Sequence, residues 1–346
     1  MAPTTERAGT FAPLSDPAVS VIVPARDAAP TLRRTLESLR AQELEQPFEV
    51  IVVDDGSRDD TAAIAAEHRR FVTLIRNPRS EGPGAARNRG ARTARAPVLA
   101  FTDADCFPTP GWLARGLEAL TRADIVQGAV LPDPAAVRTP FDRTLLVERD
   151  DGFYQTANLL VRRDLFDAVG GFRDWALEKA RPRHFTADRR RRRAARTPIG
   201  EDVLFAWSAR RLGAQSVFAP DALVHHEVVP GHLGDEVADR WHWTRDMPGL
   251  ARLVPELREA AFYRRWFFHR KTARFDLAGA GVLVALLTRR RIWLLAAAPY
   301  ADWIARDAVR WGARRGAEFA LGSVVIDAAT LTGLVAGSFS WRSVVL

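Results

Sequence analysis

The stretch Phe48-Glu49-Val50-Ile51-Val52-Val53-Asp54-Asp55-Gly56-Ser57 sets the reading of the whole chain. Its apolar run does not alternate with polar residues. A strand of that kind is covered on both faces, as in a parallel sheet with helices on either side. Two acids and a glycine end the run, so the polar groups fall at the carboxyl end of the strand, where open α/β sheets collect ligands. The same pattern recurs on both sides of this stretch. Residues 19–23 form a β-branched run ending at Pro24, residues 72–75 form a third, and residues 97–101 form a fourth, followed by Thr102-Asp103-Ala104-Asp105. Between them, Leu32, Leu36 and Leu39 fall at helical spacing after Pro30, and residues 61–68 and 84–93 also read as helices. The fold class that follows is α/β: a Rossmann-type, mostly parallel sheet flanked by helices.

The pattern changes beyond residue 124. Strands are predicted at 125–130, 156–161, 215–218 and 222–225, a turn at Gly170-Gly171, and a helix over 201–211. Residues 235–346 are rich in Trp, Arg and Leu and predict a C-terminal helical region. Its apolar run at 277–287 is broken by Arg289, Arg290 and Arg291 before a second run at 292–298. Residues 319–339 carry one charge, Asp327. About 20 apolar residues are needed to cross a bilayer. Aromatics and arginines bordering shorter runs suit an element lying at the membrane interface instead.

The chain has 346 residues, 47% of them hydrophobic and 27% charged, which excludes a disordered protein. One cysteine, Cys106, excludes a disulfide framework and a cysteine-based zinc cluster. The net charge is +8, and only Lys179 and Lys271 are lysines. That arginine excess suits phosphate-bearing partners. Residues 1–17 are polar and proline-rich, unlike a signal peptide, and predict a flexible tail and a cytoplasmic protein. Residues 179–196 hold nine Lys or Arg, five of them at 189–193. This segment reads as a solvated loop or as a clamp for an anionic acceptor or lipid headgroup.

Five motifs carry candidate chemistry. Asp54 and Asp55 at a strand end can accept hydrogen bonds from a base or ribose, or can cap the next helix together with Ser57, Asp59 and Asp60. Gly82-Pro83-Gly84-Ala85-Ala86-Arg87 before a helix gives amides access to a phosphate, or serves close packing. Asp103 and Asp105 suit a hard divalent cation, Mg²⁺ or Mn²⁺. Glu201 and Asp202 open a helix as general-base candidates or as dipole-favoured acids. His225 and His226 end a strand and could complete a metal site.

In order and spacing, Val19-Ser20-Val21-Ile22-Val23-Pro24-Ala25, Val53 to Ser57, Gly84 to Asn88 and Asp103-Ala104-Asp105 resemble the inverting family 2 glycosyltransferases of GT-A fold. Thr156-Ala157-Asn158-Leu159, the Gly170-Gly171-Phe172 turn and Gly200-Glu201-Asp202 extend the likeness over residues 18–230. The resemblance implies a nucleotide-diphosphate-sugar donor and a domain made of a nucleotide-binding half, 18–123, and an acceptor half, 124–230. The region 231–346 then follows as a helical, membrane-associated part. Pro24, Ala25, Asp54, Asp55, Arg87, Asp103 and Ala104 would line the donor. Asp105, with Asp103 and His225 or His226, would hold the metal, and Asp202 beside Glu201 would deprotonate the acceptor hydroxyl. The implied product is a cell-surface glycan or glycolipid, made on a glycan or lipid-linked acceptor at the inner face of the cell membrane, with peripheral contact to anionic lipid and no nucleic acid. Processive members of the family carry Gln-X-X-Arg-Trp. Here Arg240-Trp241 is present but Val237 takes the Gln position, which favours single transfer. Two other readings compete: a non-enzymatic arginine-rich binder of nucleic acid or anionic lipid, and a sugar-1-phosphate nucleotidyltransferase. The second is disfavoured because Pro24-Ala25-Arg26-Asp27 stands where a Gly-rich loop with lysine belongs.

Overall fold

The computed structural model describes residues 16–173 and 200–346. The basic segment 179–196 and most of the expected tail therefore lie outside the described residues. An eight-stranded sheet runs in the order β3-β2-β1-β4-β7-β6-β8-β5. Its first half, β1 (Val19–Ala25), β2 (Phe48–Asp54), β3 (Val72–Arg76) and β4 (Val98–Thr102), is parallel throughout. The second half is mixed. β7 (Asn158–Arg162) runs antiparallel to both β4 and β6 (Ile125–Pro132), β8 (Ser216–His226) lies parallel to β6, and β5 (Cys106–Pro108) closes the edge antiparallel to β8.

The unbroken apolar runs are explained by two cores, one on each face. Val21 and Val23 of β1 and Val50 and Val52 of β2 face one layer, with Leu32, Leu36 and Leu39 of α1 (Ala29–Arg40) and Ile64 of α2 (Thr61–Glu67). Ile22, Ile51 and Val53 face the other, with Ala86 and Ala91 of α3 (Pro83–Thr93). α3 lies close to the sheet: a Cβ on Gly90 would sit 2.6 Å from the Ile22 side chain. Three elements have no counterpart in the sequence reading, the three-residue β5, α4 (Trp112–Leu120) and the helix Arg163–Val169. α4 sends Trp112 Nε1 to donate to Asn158 Oδ1 at 2.7 Å. Asn158 Nδ2 donates in turn to the carbonyls of Ala129 and Ala222, so one buried amide ties β6, β7 and the β8 stretch together. The two short strands expected at 215–218 and 222–225 are one strand, β8, with an irregular register opposite Gly128 and Val130.

After α5 (Arg163–Val169), the Gly170-Gly171-Phe172 turn is clamped to α3. Asn88 Nδ2 donates to the Phe172 carbonyl, and the Phe172 N–H donates to Asn88 Oδ1. The chain is described again at Gly200, which packs against Leu250 and opens α6 (Glu201–Arg211). The C-terminal region comprises α7 (Leu233–Leu253), α8 (Leu257–Ala260), α9 (Arg270–Thr288), a 3₁₀ turn over Arg291–Ala297, α10 (Ala298–Val309) and α11 (Gly312–Trp341). Met247, Leu250, Val254 and Leu334 share a core with Val203, Phe205 and Trp207 of α6. α11 is long and apolar enough to cross a membrane. Its glycines press on α7, however: a Cβ on Gly333 would lie 2.2 Å from Thr244 Oγ1. Asp327, the one charged residue of its apolar stretch 319–339, is buried, accepting from Tyr300 Oη at 2.6 Å and pairing with Lys271 Nζ at 3.0 Å.

Candidate active site

The polar groups singled out in the sequence gather at the carboxyl ends of β1, β2 and β4, the amino ends of α3 and α6, and the end of β8. Asp54 is fully buried. Its Oδ1 accepts from the Ser57 N–H and its Oδ2 from Arg76 Nε. Asp55 accepts from Asn77 Nδ2, Ser80 Oγ and the N–H groups of Glu81 and Gly82. Burial pushes the Asp55 carboxyl up, but these donors outweigh it and hold the group below its ordinary value. In the chain alone both carboxylates are held by these internal contacts. The pair staples the loop 77–82 across the sheet. The amides before α3, read as phosphate donors, point at Asp55. The staple shapes an open cleft of about 530 Å³ whose rim includes Arg26, Arg58, Arg76 and Arg79. Beside it the Ala25 carbonyl accepts from the Asp55 N–H, which orders the Pro24-Ala25 end of β1. The helix-cap role falls to Asp59, whose Oδ1 accepts from the Thr61 N–H.

Arg87 is buried at the centre. It donates through Nη2 to Asp103 Oδ1 at 2.6 Å and through Nη1 to Glu201 Oε1 at 3.0 Å. Burial would lower its pKa, but the two acids reverse this and raise it. Gly84 makes room for this: a Cβ there would lie 2.5 Å from Glu201 Oε2. Glu201, expected beside Asp202 in the catalytic pair, has its carboxylate on Arg87. Its carboxylate faces Arg87 and α3, because buried acids pair with buried cations. Asp202, the next residue, also lies within the field of Arg87. Its Oδ1 accepts from the Val203 N–H at 2.9 Å. Burial raises its pKa to about 6, with the charge of Arg87 pulling against that rise.

The last corner joins β4 to β8. Asp105 Oδ2 lies 3.8 Å from His226 Nε2, and Cys106 Sγ lies 4.0 Å from Asp105 Oδ1. His226 Nδ1 is 2.7 Å from the Glu227 carbonyl, an acceptor only, so Nδ1 donates there and Nε2 is the ring nitrogen on the Asp105 side. Burial and the charge of Asp103 raise the Asp105 pKa, while His226 lowers it. A divalent cation relieves such crowding of negative charge, so the donor set fits one. Cys106 is in reach as a third donor. Burial keeps its thiol protonated, so it is a poor ligand for a hard cation. His225 is separated from this corner. Successive residues of a strand face opposite ways, and its ring sits in the field of Asp133 and Arg34 instead. Ala104 is anchored from behind, its carbonyl accepting from Thr35 Oγ1 at 2.8 Å. Sequence reasoning missed Cys106 and Thr144, whose Oγ1 is 3.5 Å from His226 Nδ1. No motif marks Thr144, because its place comes from a strand-like contact 82 residues away.

Comparison with known proteins agrees with this arrangement. The model of Glycosyl transferase family 2 matches residues 20–173. Glycosyltransferase AglE of Haloferax volcanii is 30% identical over 231 residues, 62% of this chain and 68% of its own length. The pre-mycofactocin glycosyltransferase of Mycobacterium tuberculosis is 30% identical over 231 residues, but the matched part spans 42% of that longer protein. Among solved structures, a mannosyltransferase from Pyrobaculum calidifontis in complex with GDP-Man and Mn²⁺ superposes with a TM-score of 0.53 at 18% identity, covering 97% of this chain and 91% of that one. The chain belongs to glycosyltransferase family 2, with a GT-A fold and a C-terminal helical region. It is a glycosyltransferase, and the readings as a nucleic-acid binder or a nucleotidyltransferase fall away.

Proposed function

We propose that the enzyme moves a sugar from a nucleotide diphosphate to an acceptor hydroxyl in one inverting displacement, with Asp202 as general base. The observation that carries this reading is the division of labour at α6. Glu201 is spent on Arg87, while Asp202 is left with a pKa of about 6, close to the ideal for taking a proton near neutral pH. As the hydroxyl oxygen attacks the anomeric carbon, its proton passes to an Asp202 oxygen. The bond to the diphosphate breaks on the opposite face. Asp105 and His226 are the residues that would hold Mg²⁺ or Mn²⁺, and the cation would supply charge neutralisation of the departing diphosphate. The arginine-rimmed cleft beside Ser57 is the proposed seat of the nucleoside. The domain limits 18–123, 124–230 and 231–346 are proposed with it.

We place the enzyme at the inner face of the cell membrane, in cell-surface glycan synthesis, acting on a glycan or lipid-linked acceptor. This reading is supported by the 3₁₀ turn over Arg291–Ala297, none of whose residues is buried, and by the exposed Leu283, Leu286 and Leu287 of α9 beside it. So much exposed apolar surface, with Trp293 and three arginines adjoining, suits an anionic bilayer. The decisive test is Asp202→Asn. Removal of a general base should lower the transfer rate by about 10²- to 10⁴-fold. Donor-nucleotide affinity, read by thermal shift with Mn²⁺, should not change. A fully active Asp202→Asn enzyme would overturn the assignment.

A further inference from the structure

The cleft beside Ser57 is built at the carboxyl ends of β1, β2 and β3, from Arg26, residues 56–58 and residues 76–80. The corner of Asp105 and His226 lies beyond β4. β2 and β4 stand two strand spacings apart, about 10 Å, with β1 between them. A donor that sets its diphosphate at that corner therefore brings its base, rather than its phosphates, to the cleft.

The polar side chains around the cleft present donors. Among the described residues no acid lines it, while four arginines do. Asp54 and Asp55, bonded to lining residues, are 0% and 3% exposed and accept from the chain's own groups. The Asn77 amide is spent at both ends, Nδ2 on Asp55 and Oδ1 on Arg89. Ser80 Oγ accepts from Arg26 Nη1 and donates to Asp55 Oδ2. A base edge of N–H groups meets no free carboxylate or amide oxygen among these side chains. An edge of lone pairs meets several N–H groups.

Of the four arginines, Arg76 is the one held by a buried acid. Its Nε donates to Asp54 Oδ2 at 3.1 Å, and that carboxylate is itself fixed by the Ser57 N–H. The Arg76 side chain is 65% exposed, and its two Nη groups have no partner among the described residues. A guanidinium tied down through Nε offers its Nη pair as a planar two-pronged donor. Such a fork matches two acceptors side by side. Guanine carries them, O6 and N7, on the edge remote from its ribose. Adenine sets an N6–H₂ donor beside N7, and uracil and thymine offer O4 alone on that edge. Cytosine shows its N4–H₂ donor there, and its paired acceptors, N3 and O2, lie towards the ribose.

We propose that Arg76, aligned by Asp54, reads the O6 and N7 edge of guanine, so that the donor is a guanosine-diphosphate sugar. The proposal deepens the glycosyltransferase reading and rests on it for the seat of the diphosphate. The test is calorimetry on the full chain with Mn²⁺, titrating GDP, UDP, dTDP, ADP, CDP and inorganic pyrophosphate in separate arms. GDP is expected to bind about tenfold or more tighter than each of the others, within the range a bidentate contact supplies. Arg76→Lys keeps the charge and removes the fork. It should weaken GDP by about fivefold or more, with UDP and pyrophosphate changed by less than about twofold. Should Arg76→Lys not fold, Arg76→Gln serves in its place with the same loss of preference expected, and the wild-type ranking tests the proposal without either. Another nucleotide binding as tightly as GDP overturns the proposal and leaves the transferase reading standing. Pyrophosphate binding as tightly as GDP overturns it by giving the arginines to phosphate. A folded Arg76 variant that keeps the full preference for GDP overturns the role of Arg76. If no nucleotide binds the folded chain, the donor reading fails first and takes the proposal with it.

Discussion

Replacing Arg87 with methionine keeps most of the carbon volume and removes the charge at the centre of the site. Both the guanidinium and the Glu201 carboxylate are less than a tenth exposed, whereas Asp103 reaches water. The variant therefore breaks the buried ion pair between Arg87 and Glu201, at a cost of about 3–5 kcal/mol. Asp103 contributes less, because it can rehydrate. Glu201→Gln on its own leaves Arg87 with Asp103 and should cost less than Arg87→Met. The double variant Arg87→Met/Glu201→Gln removes both charges and should regain about 2 kcal/mol over the single variant. Urea unfolding followed by tryptophan fluorescence measures all three. A second readout is catalytic. Arg87 holds the Asp202 pKa down against burial, so its loss should raise that pKa further above about 6 and move the acid limb of the rate profile towards neutral pH. The reasoning is refuted if Arg87→Met unfolds within 1 kcal/mol of wild type (about the size of an ordinary surface effect) or if the double variant is no more stable than the single.

Three further outcomes follow from the geometry. His226→Ala should weaken Mn²⁺-dependent activation at least tenfold in a metal titration, while His225→Ala, on the other side of the strand, should leave the metal response unchanged. Asp276 has two buried oxygens without a hydrogen-bond partner among the described residues, and burial, then the charge of Asp327, raises its pKa from 3.8 to about 6. The unfolded carboxyl ionises first, so the fold loses stability as pH rises through that window. Asp276→Asn should thus raise stability at pH 7.5 by about 1–2 kcal/mol, discounted for partial exposure, with the gain shrinking towards pH 5 in thermal melts. Gly90→Ala should push α3 off Ile22 and destabilise by about 1–3 kcal/mol in urea.

The parallel half of the sheet was legible because β1, β2 and β4 carry continuous buried apolar runs, so hydrophobicity alone marked 48–53 and its neighbours, while β3 at the edge is only partly buried. The spacing of Leu32, Leu36 and Leu39 marked α1 for the same reason. β5 escaped notice because three residues cannot show a period, and α4 and α5 because helices of nine and seven residues give barely two turns of it. At the site, the sequence singled out polar residues but not their partners. Nothing local distinguishes Glu201 from Asp202; what separates them is Arg87, over a hundred residues earlier. Nothing local ranks His225 against His226 either, until the pairing of β8 with β5 shows which ring lies by Asp105.

The clamp between Asn88 and the Phe172 turn and the seat of Gly200 against Leu250 anchor the backbone on either side of the acids that open α6. The address of Asp202 is thus set from behind, by the fit of a bare glycine on a core leucine: a side chain at residue 200 would meet Leu250 at 2.7 Å and, at a φ of +91°, strain the turn, so the proposed base would be moved by a change that touches neither donor nor acceptor.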